Sequence, residues 1–532
     1  MKSIRTNQAK PIKQWFVSKT SISRLLVMVF GVVMPLASVF ADIKMPELFG
    51  EHMVLQCGMQ VPIWGKATPG ERISVKFRDQ EKTSIADSNG IWNVKFDPLT
   101  AGGPDQLIIT GDNVVTIEDV LVGEVWLGSG QSNMMLPVST CAGSDKLLAS
   151  AVTAGPYPRL RLFKKNGWSA SYWQEATATN TTQFSAMLFS VGLRLQKILD
   201  RPVGVIDTAC SGSSSKGWIS KDAFSEDANC QALLDKYTHL YQYKTNLYQE
   251  ELAKWELTHT PNQSGGNNAN KPTPPTEPTK LQDVGGLYEA FIRPLIPYAI
   301  RGVLWDQGEA GTQITGVDQF ALMGALIRDW RTRWGHGAFP FIYVQKPSGG
   351  GCAWDSTNPV NRNAEKFESL PQAVPTDGMK WEPYLKMMGY TNVAMAISID
   401  LGSGNHPVNK FGYGYRLANV ALGLAYGSEV DYYGPIYDSF AIEEDRLRIS
   451  FSHIGSGLAF RYADKLQGFA IAGADHVFHW ATAKLDGNTV VLSSHYVQKP
   501  IAARYAWSEK HAWANMFNKD GMPALPFRTD DW

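Results

Sequence analysis

An excess of charge of either sign, an even set of cysteines and a long apolar run beyond the first forty or so residues are all missing from this chain. Lysine plus arginine number 50 against 50 for aspartate plus glutamate. No long basic or acidic run breaks that balance, so nothing marks a nucleic-acid or membrane-surface partner. Cys57, Cys141, Cys210, Cys230 and Cys352 are odd in number and show neither pairing nor zinc-ligand spacing, which leaves no disulfide framework to argue from. His476 and His479 lie three apart without a carboxylate or cysteine cluster beside them, so they read as structural rather than as metal ligands. No segment after Ala41 is apolar enough to span a bilayer.

What is present is a chain of 532 residues, too long for one compact core, so two or three domains are expected. Its 17 tryptophans are read as large β-rich cores ahead of platforms for sugar rings, because aromatic side chains bury so much apolar area. Residues 1–41 read as a signal peptide: Lys2, Arg5, Lys10, Lys13, Lys19 and Arg24 precede an apolar stretch from Leu25 to Phe40, and Val39-Phe40-Ala41 offers cleavage chemistry before Asp42. That stretch is short and carries Pro35, which argues against a permanent membrane span, so a secreted or periplasmic protein is expected.

Four regions follow from patterning. Residues 42–119 alternate apolar and polar side chains in short runs, as in Ile73-Ser74-Val75-Lys76-Phe77 and Trp92-Asn93-Val94-Lys95-Phe96, punctuated by Pro69-Gly70 and Asn89-Gly90; this predicts a small β-sandwich. Residues 120–431 alternate buried-type strands (Leu121 to Leu127, Val203 to Ile206, Ile300 to Trp305, Phe339 to Val344) with amphipathic stretches, which predicts a parallel sheet covered by helices on both faces. Catalytic residues in such sheets collect at the carboxyl ends of the strands. An insertion over about 221–281 joins a helical segment, Ala223 to Leu257, expected to pack on the domain, to a loop from Pro261 to Lys280 too poor in apolar residues to bury a core. Residues 432–532 return to β alternation, with a hairpin signal at Asp486-Gly487-Asn488.

One serine stands at a strand-to-helix turn: Ser132, in Gly128-Ser129-Gly130-Gln131-Ser132-Asn133-Met134. Such a serine exposes its hydroxyl and keeps a free backbone N–H able to hold an oxyanion, although the same position suits an ordinary helix-capping serine. The flanking residues do not form the Gly-x-Ser-x-Gly elbow of α/β-hydrolases.

Gly123 to Met134 resembles the first block of the sialate O-acetylesterase family, a branch of the SGNH hydrolases. Leu48 to Gln56 with Val61-Pro62-Ile63-Trp64-Gly65 is similar to the opening of that family's N-terminal β domain. Trp305-Asp306-Gln307-Gly308-Glu309, His406-Pro407-Val408-Asn409-Lys410, Arg504-Tyr505-Ala506-Trp507 and Pro526-Phe527-Arg528-Thr529 resemble further blocks. The resemblance implies an α/β fold with an SGNH-type, flavodoxin-like parallel sheet, an N-terminal β-sandwich and extra C-terminal β structure. It implies an enzyme that removes acetyl esters from sugars with no metal or organic cofactor, with Ser132 as nucleophile and His406 as general base. The oxyanion hole falls to the N–H of Ser132, the N–H of Gly212 and the side-chain amide of Gln307. Trp218 and Trp305 are candidate pocket walls, and Glu309 a candidate orienting residue. The family's usual aspartate three residues before the histidine is Ser403 here, so either Asp400 or a main-chain carbonyl is left to orient His406. A second departure, Cys210-Ser211-Gly212-Ser213, leaves plant polysaccharides such as xylan or xyloglucan open beside sialate as substrate. A non-catalytic carbohydrate-binding protein is the alternative of another class.

Overall fold

The long strand Val114–Gly130 organises the molecule. Over its first residues exposed and covered positions alternate, and from Val120 to Gly130 every residue is buried. That change of pattern marks the passage from a sheet with one wet face to a sheet covered on both. The computed structural model describes residues 42–165, 170–258, 270–353, 357, 364–402 and 404–532. The signal peptide expected over 1–41, part of the Pro261 to Lys280 loop, and Ser403 lie outside the described residues.

The amino-terminal half of the strand pairs antiparallel with Gly102–Thr110, while Val54–Gln56 lies parallel to Leu121–Gly123. Together with Arg72–Phe77, Gln80–Ile85 and the separate pair Val61–Lys66 and Ile91–Phe96, these strands enclose Ile63, Ile73, Val75, Trp92 and Val94. The boundary expected after Asp119 therefore falls inside one continuous strand, at a residue with φ of 51°.

The carboxyl half pairs in parallel with Val203–Asp207 on one side and Gly302–Asp306 on the other, and Phe341–Val344 and Val393–Ala396 extend the latter side. Numbered along the chain, these five parallel strands lie in the order 2-1-3-4-5. Tyr157–Lys164 adds a sixth parallel strand beyond the second, and Trp173–Ala176 pairs antiparallel with it at the edge, making the sheet mixed. The chain reverses its direction of winding beside the first strand, so loops leave its neighbours on opposite sides and open a crevice at its carboxyl end. Leu188 of the helix Ala186–Leu199 packs against Gly128 on one face, and Trp330 of the helix Gln319–Trp334 packs against Trp305 on the other.

The C-terminal residues build two four-stranded antiparallel sheets around a second core that includes Leu447, Ile449, Ile471, Leu492, Tyr505 and Phe527. The insertion differs from expectation. Its helix, Ala228–Thr258, buries only Cys230 fully, and Leu240, Tyr243, Leu247 and Leu257 are exposed, so among the described residues much of the apolar spacing seen in sequence stays uncovered. Among the described residues no helix is long and apolar enough to cross a membrane.

Candidate active site

Gly130 ends the central strand with φ of 122°, and a Cβ there would lie 2.2 Å from the carbonyl oxygen of Asp306. Only glycine lets the two strands close at this point. The Gln131 N–H donates to that same carbonyl at 2.8 Å, and Ser132 opens the short helix Ser132–Met135. The first amides of a helix have no intrahelical acceptor, so the Ser132 N–H is left without a backbone partner in its own helix. Ser132 Oγ lies 2.8 Å from Nε2 of His406, a hydrogen bond spanning 274 residues of sequence.

The histidine stands in the segment after Val393–Ala396, where Gly402 and Gly404 take φ of 101° and 88° to turn the chain toward Ser132. Asn133 holds that segment. Its Nδ2 donates to the carbonyl oxygen of Asn405 at 2.8 Å and to Glu309 Oε1 at 2.8 Å, while its Oδ1 accepts from Lys410 Nζ at 2.7 Å. An ammonium can only donate, so Lys410 fixes which end of the Asn133 amide faces the histidine loop. Glu309 is held in turn by Lys346, whose Nζ lies 2.5 Å from Glu309 Oε1 and 2.6 Å from Asp306 Oδ1.

These buried charges perturb one another. Burial opposes ionisation of Glu309, but the Lys346 charge and hydrogen bond outweigh it and hold the carboxyl below its ordinary range. Burial likewise opposes the charge on Lys346, and the two carboxylates beside it more than compensate, so its ammonium is raised. Lys410 has weaker compensation: burial pushes it down to about 8 against the pull of Asp306.

The second crevice loop follows Val203–Asp207. The Cys210 N–H donates to the Gly130 carbonyl at 2.9 Å and Ser213 Oγ donates to the same oxygen at 3.2 Å, which pins the loop that carries Gly212 to the end of the central strand, two residues before Ser132. Gly212 has φ of 69°, and among the described residues none accepts its N–H.

Three expectations need correction. Gln307 has no amide to spare: its Nε2 donates to the carbonyls of Gly311 at 2.9 Å and Ser213 at 3.5 Å, while its Oε1 accepts from Ser215 and Gln319. It ties the crevice loops together. Trp218 and Trp305 do not wall a pocket; they are 0% and 1% exposed and meet edge to face, centroids 5.9 Å apart, beneath the loops. The Trp218 indole N–H donates to Ser213 Oγ at 3.0 Å, so it supports the Gly212 loop from below. Asp400 pairs with Arg416, 2.8 Å away, rather than with His406; a fully buried carboxylate needs a cation, and the helix Lys410–Tyr426 supplies one. Among the described residues no hydrogen bond reaches Nδ1 of His406. Sequence reasoning did not single out Asn133 or Lys410, although both stand inside the two blocks that were read. Lys346 had no signal at all.

The group of His52, Asp119 and Glu175 is the one cluster of potential metal ligands among the described residues, and it encloses Arg161, whose guanidinium bonds to Asp119 at 2.5 and 3.0 Å. A cation already occupies that position.

The chain is similar over 92% of its length, and over 100% of the other chain, to a carbohydrate acetylesterase from Xanthomonas citri, at 30% identity and a TM-score of 0.72. It is 25% identical to the sialate O-acetylesterase of Mus musculus, covering 77% of this chain and 79% of that protein, and 24% identical to that of Homo sapiens, covering 94% and 96%. No family model matches the chain. Fold, crevice and relatives together define a carboxylic ester hydrolase. The hydrogen-bonded serine and histidine lie in two of the blocks that resemble that family. The chain belongs to the sialate O-acetylesterase family.

Proposed function

We propose that this protein is an exported carbohydrate O-acetylesterase of SGNH type, working through an acetyl-enzyme on Ser132. The observation that carries the reading is the 2.8 Å contact between Ser132 Oγ and His406 Nε2. A serine hydroxyl is a weak nucleophile until a base at hydrogen-bond range takes its proton. His406 takes that proton as Oγ attacks the acetyl carbonyl, and the tetrahedral oxyanion is held by the N–H groups of Ser132 and Gly212. His406 then returns the proton to the departing sugar oxygen, the C–O bond breaks and the acetyl group stays on Ser132. Water, deprotonated by His406, attacks the acetyl carbonyl through a second tetrahedral intermediate; acetate leaves and the serine regains its hydrogen. Among the described residues no acid bonds to Nδ1, and orientation of the imidazole falls to the main-chain anchor that Asn133 provides through Asn405.

The acetylated sugar is supported by the relatives, whose names specify carbohydrate and sialate esters. The export leader rests on residues 1–41 of the sequence. Acetate release from O-acetylated sialosides and from acetylated xylan and xyloglucan fragments tests the reading. Ser132→Ala is expected to lower turnover by roughly 10^4- to 10^6-fold with the fold intact. Wild-type turnover in that variant would remove Ser132 from the mechanism.

A further inference from the structure

Beside the Ser132–His406 pair lies a cleft of about 580 Å3, inside the roughly 300–1,000 Å3 range of small-molecule sites. Its near side is made by Glu309 and Asn405, both bonded to Asn133 next to the nucleophile. Its far side comes from the C-terminal β region, through Lys380, Glu509 and Lys510. That far wall is built rather than draped. The His511 N–H donates to the Gly350 carbonyl at 2.7 Å, the Trp381 indole donates to the Ser508 carbonyl at 3.1 Å, and Lys380 pairs with Glu509 at 2.5 Å. His511 itself is 2% exposed, so the segment is anchored on a buried side chain directly after Lys510.

The chemistry of the lining narrows what the cleft can hold. Its aromatic residue, Tyr384, is 7% exposed, too little to offer a stacking face. The remaining lining is rich in charges and polar groups. Lys346 and Lys380 are each neutralised by carboxylates, whereas among the described residues the side chains of Lys510 and Asn405 have no hydrogen-bond or ion-pair partner. Two free polar side chains in the lining of a polar cleft suit a hydroxyl-rich ligand held by hydrogen bonds. They do not suit an acyl tail.

We propose that this cleft is the subsite for the sugar side of the ester, with Lys510 from the C-terminal β region as its specificity-determining donor. The proposal rests on the carbohydrate esterase reading above. It assigns the C-terminal β region a part in substrate recognition: the acetyl group lies at Ser132, and the glycan extends past Asn405 to Lys510.

The test compares a small activated ester, p-nitrophenyl acetate, which does not reach Lys510, with an acetylated xylo-oligosaccharide and an O-acetylated sialoside. Lys510 is exposed, so Lys510→Ala is expected to fold normally. It should leave p-nitrophenyl acetate turnover within about twofold and raise KM about tenfold on whichever glycan the wild type deacetylates, with kcat little changed, the loss of one charge-assisted contact. Calorimetry with Ser132→Ala against Ser132→Ala/Lys510→Ala, using the same glycan, should show the same loss in binding without catalysis. Unchanged KM on every glycan, or equal loss on p-nitrophenyl acetate, overturns the subsite and leaves the esterase reading standing. Hydrolysis of p-nitrophenyl acetate by the wild type with no acetate released from any glycan overturns both.

Discussion

At the scale of single residues, the candidate site depends on groups that never touch the ester. Asn133 joins the nucleophile turn to the histidine loop, so Asn133→Ala should displace His406 and lower kcat by up to about 10^2-fold, the size of effect an ångström of misplacement produces. KM for p-nitrophenyl acetate should change far less, and circular dichroism should report an intact fold; a variant with wild-type kcat would remove the anchor role. Lys410 holds the Asn133 amide most strongly while charged, and burial has brought it down to about 8. kcat is therefore expected to fall on the alkaline side as pH passes that value. Stability moves the other way: above about 8 the unfolded chain binds the extra proton, so unfolding becomes harder until the ordinary lysine range is reached. A pH–kcat profile of Lys410→Met should show lower activity without that limb, and a limb unchanged in the variant would assign the titration elsewhere. Asp400→Asn leaves Arg416 without its buried countercharge and should cost about 3–5 kcal/mol in denaturant unfolding while kcat stays near wild type. A fall of about 10^4-fold in kcat would return Asp400 to the role of orienting acid.

At the scale of elements, the central strand sets the reach of the chemistry. Its carboxyl end stops at Gly130, and the helix that follows lasts only from Ser132 to Met135, so the serine is presented at a turn. Gly130→Ala would drive a methyl group against the Asp306 carbonyl, 2.2 Å away, and the expected outcome is a marked loss of soluble, folded protein, seen in expression yield and melting temperature. The strands were legible because continuous burial leaves largely apolar runs, as in Val203 to Ile206 and Ile300 to Trp305. The roles of Trp218 and Trp305 were not. A tryptophan beside a catalytic block looks the same in sequence whether it faces substrate or, as here, another tryptophan at 5.9 Å. The helix Ala228–Thr258 makes the complementary point: apolar spacing predicts a helix, yet it does not say that a partner lies opposite.

At the scale of the whole molecule, Glu124 is the joint between the N-terminal strands and the covered sheet. Fully buried, it meets Arg301 at 2.8 Å and Arg201 at 3.2 Å, and accepts from Gln56 at 2.9 Å and Tyr426 at 3.0 Å. Residues 42–532 form one compact unit. Glu124→Ala should therefore lower stability by about 3–5 kcal/mol, with near- and far-ultraviolet probes moving in a single shifted transition. Two separate transitions would mean that the strands before the joint unfold independently.

Local patterning determined the kinds of element in this protein: alternation for the outer β regions, apolar runs for the covered strands, and a turn that exposes Ser132. Those features depend on neighbours a few residues away, so they are written in the chain directly. Pairing across distance was decided only by the tertiary structure. It brought His406 to Ser132 over 274 residues, turned Asp400 to Arg416, used the Gln307 amide on its own loops, and set Lys510 in the lining of a cleft shared with Glu309 and Asn405. A buried charge or amide takes whichever partner the fold sets beside it, and that choice belongs to three-dimensional packing.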